Sequence, residues 1–145
     1  MTRMTMDQAI QSAIALNENI GKDGVTSAYS ELEKALRAFK TEEGPLESII
    51  PKGEDASLGF SIRSADARKF FEIYSSLIRK SLCPPDGEFN KLIKSGLDSS
   101  VGVVLTQIVT SLGIPMAALG IMVPVAVIIA NTGLDAFCRL TEQKK

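Results

Sequence analysis

Thirty-six consecutive residues, Ser99 to Leu134, carry no Asp, Glu, Lys or Arg side chain. A hydrocarbon core about 30 Å thick is crossed by roughly 20 apolar residues in a helix, so this stretch is long enough to enter a membrane. Gly113 and Pro115 divide it, because Gly is favoured just past a helix end and Pro at the start of the next helix. We therefore predict an apolar hairpin with helical arms at 100–112 and 115–140, of which the second is long enough to span a bilayer alone.

The second arm contains an internal proline. Pro124 removes one backbone hydrogen bond and pushes its ring toward the carbonyl of Gly120, which lacks a Cβ atom and leaves room for a kink without a break. A helix that is apolar on all sides fits either lipid or the core of a bundle. The alternative is therefore a pair of core helices in a water-soluble bundle or oligomer. The candidate membrane or pore residues are Gly113, Pro115, Gly120, Pro124 and Asn131.

Two amphipathic helices are predicted in the N-terminal part of the chain. Thr5 and Gln8 have the spacing of a capping box, and apolar residues then recur at helical spacing over 6–20. A second helix is predicted over 26–40, where a short turn between the two favours an antiparallel pair.

A connection rich in Gly and Pro follows the second helix over 41–62. It is long for a compact domain, which is typical of a functional loop or of an element that the pattern hides. Apolar and polar residues alternate near its end, so a short strand is predicted at 58–63.

A third predicted helix, at 65–82, has an apolar face and a basic face. Two Arg-Lys pairs stand eleven positions apart, which brings them to nearly the same azimuth three turns along the helix, roughly 16 Å apart. Arg and Lys bind phosphate through charge-assisted hydrogen bonds. We predict that this face binds a nucleotide or a short single-stranded nucleic acid, and the alternative is a solvated surface. The candidate ligand-binding residues are Arg68, Lys69, Arg79 and Lys80.

The composition argues against catalysis and against metal or cofactor binding. The chain has no His, its glycines are scattered, and none of its Ser or Cys residues lies in a nucleophile turn. We therefore predict a protein that is not an enzyme and that uses no metal and no cofactor. Cys83 and Cys138 are the only cysteines; they could pair once, but 1–20 does not have the pattern of a secretory signal. Synthesis in a reducing cytoplasm is the expectation.

Basic residues lie on both sides of the apolar stretch. Lys91 and Lys94 precede it, and Arg139, Lys144 and Lys145 follow it. The positive-inside bias favours this arrangement when both ends stay on the cytoplasmic side. The predicted location is the cell inner membrane or its surface, and the alternative is the cytoplasm.

These features predict an all-α fold in which amphipathic helices over 1–96 pack on the apolar hairpin over 97–145 within one compact unit. We also predict a homo-oligomer, because a short chain is expected to leave part of so apolar a hairpin exposed. The plan resembles small membrane-acting effectors of bacterial anti-phage defence. The resemblance implies a membrane-permeabilising or channel-type protein whose hairpin is sequestered by the N-terminal helices, with lipid and an anionic ligand as partners. The alternative is an obligate soluble oligomer or adaptor with the hairpin as its interface core.

Overall fold

A computed structural model describes residues 5–19, 26–42, 67–84, 87–95, 100–133 and 136–138. The described residues form helices and short turns, so the predicted all-α fold is confirmed. The strand predicted at 58–63 and the boundary predicted between residues 96 and 97 lie outside them. In chain order the helices are α1 (Met6–Asn19), α2 (Thr26–Glu42), α3 (Ala67–Leu82), α4 (Glu88–Ser95), α5 (Val101–Leu112) and α6 (Leu119–Thr132), with a 3-10 turn at Met116–Ala118 before α6.

The N-terminal helices form where local sequence signals predict them. The capping box at the start of α1 is present: the Thr5 backbone N–H donates to Gln8 Oε1 at 2.9 Å, and the Gln8 N–H donates to Thr5 Oγ1 at 3.2 Å. Along α2, Glu33 pairs with Arg37 at 3.6 Å, four residues further on. Both helices place an apolar face inward.

The hairpin is present, but its second arm is shorter than predicted. Gly113 ends α5 with φ +63°, and Pro115 precedes the 3-10 turn, so α6 begins only at Leu119. Gly133 then ends α6 at a φ of +93°, a backbone conformation that side chains with a Cβ rarely adopt. Pro124 lies inside α6 without breaking it. The predicted single helix over 115–140 is therefore wrong. With 14 residues, α6 is roughly 21 Å long.

Helix α6 occupies the centre of the fold and packs against α1, α2 and α5. Every residue from Ile121 to Ile129 is buried. Helix α3 packs against α2 and α5, and α4 packs against α3 and α5. The N-terminal helices thus pack on the hairpin, as predicted.

The prediction of a homo-oligomer depends on an exposed part of the hairpin. Among the described residues, α6 is covered, whereas Met116 in the turn before it is exposed, as is Ile14 of α1. Oligomerisation stays a prediction. Within the described ranges, none of the helices combines the length and apolar character needed to cross a bilayer.

Candidate functional site: the basic helix and the buried hairpin

The two Arg-Lys pairs of α3 have different surroundings. At the start of the helix, Arg68 and Lys69 are both exposed. One turn before its end, Arg79 is only 7% exposed while Lys80 is exposed. The four side chains therefore do not share one exposed basic face, because Arg79 is withdrawn from solvent. Ligand binding by these residues stays a prediction. The basic side chains that reach solvent are those of Arg68, Lys69 and Lys80.

Arg68 lies on an aromatic side chain from another helix. Its guanidinium carbon is 4.3 Å from the centre of the Tyr29 ring of α2, within the range of a cation–π contact. Tyr29 also meets Phe71 edge to face, with ring centres 5.8 Å apart. Partial burial raises the pKa of Tyr29, and the Arg68 charge opposes that rise. The sequence showed no aromatic residue on the basic face of α3, because Tyr29 reaches it only through tertiary packing.

Arg79 is covered by the segment that follows α6. Its guanidinium carbon lies 5.2 Å from the centre of the Phe137 ring, and its Nη1 atom donates to Ser75 Oγ at 3.4 Å. The Ser75 hydroxyl in turn donates to the Glu72 carbonyl at 3.0 Å. Burial lowers the pKa of Arg79. Among the described residues, no carboxylate pairs with this guanidinium, and its partners there are the Phe137 ring and one long hydrogen bond to Ser75.

A disulfide holds the segment that follows α6 against α3. Cys83, one turn after Arg79, is bonded to Cys138, and their Cα atoms are 5.5 Å apart. The neighbouring Phe137 is 1% exposed and meets Phe89 of α4 at a ring distance of 6.1 Å. The sequence left this pairing open and favoured a reducing compartment, where cysteines stay reduced. The structure has the paired form, and the compartment stays a prediction.

Polar side chains in the hairpin bond back to their own helices. Thr106 Oγ1 donates to the Gly102 carbonyl at 2.8 Å, and Thr132 Oγ1 donates to the Ile128 carbonyl at 2.9 Å. Such bonds to the carbonyl four residues earlier satisfy a hydroxyl without water. These two hydroxyl groups therefore add little polarity to the hairpin.

The candidate membrane residues lie at different depths. Pro124 is buried and Gly120 is half-buried, while Gly113 and Pro115 are exposed in the turn between the arms. Asn131, exposed at the end of α6, donates from Nδ2 to Asn17 Oδ1 at 2.7 Å and to the carbonyl four residues earlier at 2.8 Å. It therefore fastens the end of α6 to α1. The five residues do not form one cluster.

Comparisons with known protein families, with curated proteins and with solved structures find no match for this chain. Among the residues that the structure describes, no group of three or more Cys, Asp or Glu side chains could hold a metal ion. The functional argument therefore depends on the buried hairpin and on the exposed part of the basic helix.

Proposed function

We propose that this protein is a latent membrane-permeabilising protein in which the N-terminal helices cover an apolar hairpin until a trigger displaces them. The observation that carries the proposal is the burial of every residue from Ile121 to Ile129, in a helix without a charged side chain. A helix in a small globular protein usually keeps a polar face toward water. A helix without such a face needs complete cover in water, and it would lose little by exchanging that cover for lipid.

Helices α1 and α2 are the parts of the cover that would move. Both pack directly on α6, whereas α3 packs mainly on α2, α4 and α5. The bond between Cys83 and Cys138 also ties the end of α3 to the segment that follows α6. Displacement of α1 and α2 would expose α6 while α3 stays attached to the hairpin.

The lengths of the two arms favour shallow insertion. Helices α5 and α6 have 12 and 14 residues, or roughly 18 and 21 Å, against an apolar thickness of about 30 Å. A short hydrophobic segment is accommodated by thinning of the bilayer or by association of several copies. The proposal therefore assigns leakage to several inserted hairpins, with lipid and further copies of the chain as partners at the inner membrane.

Dye release from phospholipid vesicles tests the proposal, using two substitutions in α1. Ala13 is fully buried and Ala15, two residues on, is exposed. Ala13→Leu overpacks the face of α1 that meets the core, at a cost of about 1 to 3 kcal/mol, and should loosen the cover and speed release several-fold. Ala15→Leu adds the same apolar side chain at the surface and should release dye at the rate of the parent. A helical Ala13→Leu protein that is no faster than Ala15→Leu would end the proposal.

A second substitution tests the hairpin itself. Val123 of α6 is 6% exposed, and Lys at the centre of an inserted helix costs about 2.5 to 3.5 kcal/mol on insertion scales. Combined with Ala13→Leu, Val123→Lys should remove the extra dye release. Unchanged release by the double variant would assign leakage to another part of the chain.

An anionic ligand at the exposed half of the basic face is the proposed trigger. Arg68 and Lys69 supply positive charge beside the half-exposed rings of Tyr29 and Phe71, a combination typical of single-stranded nucleic-acid surfaces. Retention of an oligonucleotide by the parent should fall steeply with salt and be lost in the double variant Arg68→Glu, Lys69→Glu. If the parent retains none at low salt, this half of α3 is a solvated surface and the ligand is dropped from the proposal.

The alternative of an obligate oligomer with the hairpin as its interface core has no such observation in its favour. Helix α6 is already covered by helices of its own chain. An interface would need apolar area that α6 no longer offers. Sizing by light scattering distinguishes the two: an obligate oligomer keeps its size on dilution, whereas the proposed latent form needs no partner in the absence of lipid.

A further inference from the structure

A cavity of about 390 Å³ opens between α1, α2 and α6. Its floor is formed by Gly120, Val123 and Pro124 of α6, and its walls include Leu16 of α1 and Ala35 of α2. The space is open to solvent on one side, and its volume falls within the range of about 300 to 1,000 Å³ that is usual for small-molecule sites. The space therefore suits a small molecule with an apolar body.

The floor of the cavity includes a residue whose backbone carbonyl lacks its usual helical donor. Pro124 has no N–H group, so the Gly120 carbonyl lacks the donor that a helix normally supplies from four residues on. Gly120 and Pro124 both line the cavity. A Cβ atom added at Gly120 would meet no heavy atom of the described residues within 4 Å, so the space beside this part of α6 is open.

The mouth of the cavity is polar and adds one carboxylate acceptor, one ammonium donor and one hydroxyl group. Glu31 and Lys34 of α2 lie there with Oε1 and Nζ 3.5 Å apart, and both side chains are partly exposed to solvent. Ser12 of α1 adds a hydroxyl group. The carboxylate and the Gly120 carbonyl are both acceptors, and the long, exposed ion pair can open at little cost.

We propose that this cavity binds a small single-chain amphiphile whose apolar chain lies against Leu16, Val123 and Pro124 and whose hydroxyl or ammonium head donates to the Glu31 carboxylate or the Gly120 carbonyl. The apolar walls take the chain because its burial removes hydrocarbon surface from water. The head satisfies an acceptor that the proline leaves without its helical donor. A carboxylate head would place a second negative charge beside Glu31 and an acceptor beside the Gly120 carbonyl, and it would have to take Lys34 from its pair with Glu31, so we expect it to bind more weakly. The site does not depend on the permeabilising function.

Calorimetric titration of the full chain with octanol, octylamine and octanoate tests the proposal. We expect the alcohol and the amine to bind with one molecule per chain and octanoate to bind at least about tenfold more weakly. Binding of only one of the two donors identifies the head group and supports the site. Absence of binding by both donors, or octanoate binding as tight as the better donor, overturns it.

Two filling substitutions and one control locate the site. Gly120→Leu should weaken binding at least about tenfold by filling the floor, and Ala35→Leu should do so from the α2 side if the first variant does not fold. Ala38→Leu places the same side chain on the exposed face of α2 and should bind as the parent does. A filled variant with parental helicity and parental affinity shows that the ligand binds elsewhere and overturns the assignment.

Discussion

Two Arg-Lys pairs in one helix, eleven residues apart, have different surroundings. At the first pair, Arg68 lies in solvent on the ring of Tyr29. At the second pair, Arg79 lies beneath Phe137 and is withdrawn from water. Helical periodicity treats the pairs as equal, because it depends only on position along α3. The comparison shows that a basic residue can be assigned to a ligand surface only when the segment packed on its helix is known.

Phe137, which holds the segment after α6 against α3, gives the largest expected change in the free energy of unfolding. Phe137 is 1% exposed between Arg79 and Phe89. Phe137→Ala should lower the free energy of unfolding by about 3 to 5 kcal/mol, as is usual when a buried Phe is truncated. Urea denaturation measures this loss. Ala136→Ser, at the exposed neighbouring position, should stay within about 0.5 kcal/mol of the parent. A loss below about 1 kcal/mol would mean that Phe137 contributes little to the packing of this segment on α3.

The disulfide gives the next effect. It joins residues 55 positions apart, and a loop of that size restricts the unfolded chain substantially. The double variant Cys83→Ala, Cys138→Ala should lose about 2 to 4 kcal/mol of unfolding free energy. Dithiothreitol should reproduce most of that loss in the parent and have no effect on the variant. If the urea midpoint of the parent is the same with and without reductant, the bond between Cys83 and Cys138 does not contribute to the stability of the fold.

Replacement of Arg79 should raise the free energy of unfolding, whereas the two preceding changes should lower it. Its guanidinium is desolvated, with Ser75 as its hydrogen-bond partner at 3.4 Å. Met keeps an unbranched side chain without a buried charge, so Arg79→Met should raise the unfolding free energy by about 1 kcal/mol. Urea denaturation at neutral pH measures the gain. A loss of stability larger than about 1 kcal/mol would show that the charge is better paired than the described contacts indicate.

Much of the fold was predictable because its signals are local. The Thr5–Gln8 capping box and the apolar spacing of α2 and α3 predict helices that the structure has nearly in place. The turn of the hairpin follows from Gly113 and Pro115 in the same way. Such signals act within a few residues and do not depend on tertiary packing.

The candidate site was less predictable because its contacts join distant positions. The burial of Arg79 depends on Phe137, and the surroundings of Arg68 depend on Tyr29. The pairing of the two cysteines would have been the one useful signal, because Cys83 lies one turn after Arg79 and Cys138 is adjacent to Phe137. The end of α6 was missed for a different reason: Gly133 has a positive φ, and a glycine in an apolar run does not reveal its conformation.

The smallest expected change in the free energy of unfolding is at the exposed contact of Arg68 with Tyr29. Arg68→Met should cost about 0.5 kcal/mol of unfolding free energy, because a cation over an aromatic ring at a solvent-exposed site contributes little. A double-mutant cycle with Tyr29→Leu isolates this contact. The Tyr29→Leu change alone should cost more, since it also removes the edge-to-face contact with Phe71. A coupling free energy near zero would mean that the contact with Tyr29 does not stabilise the position of Arg68. The guanidinium could then bind a phosphate without losing a favourable contact. A coupling free energy above about 1 kcal/mol would mean that a ligand at this surface has to compete with Tyr29 for the guanidinium. Arg68 and Arg79 would then both be held by an aromatic ring, and they would differ only in how deeply they are buried.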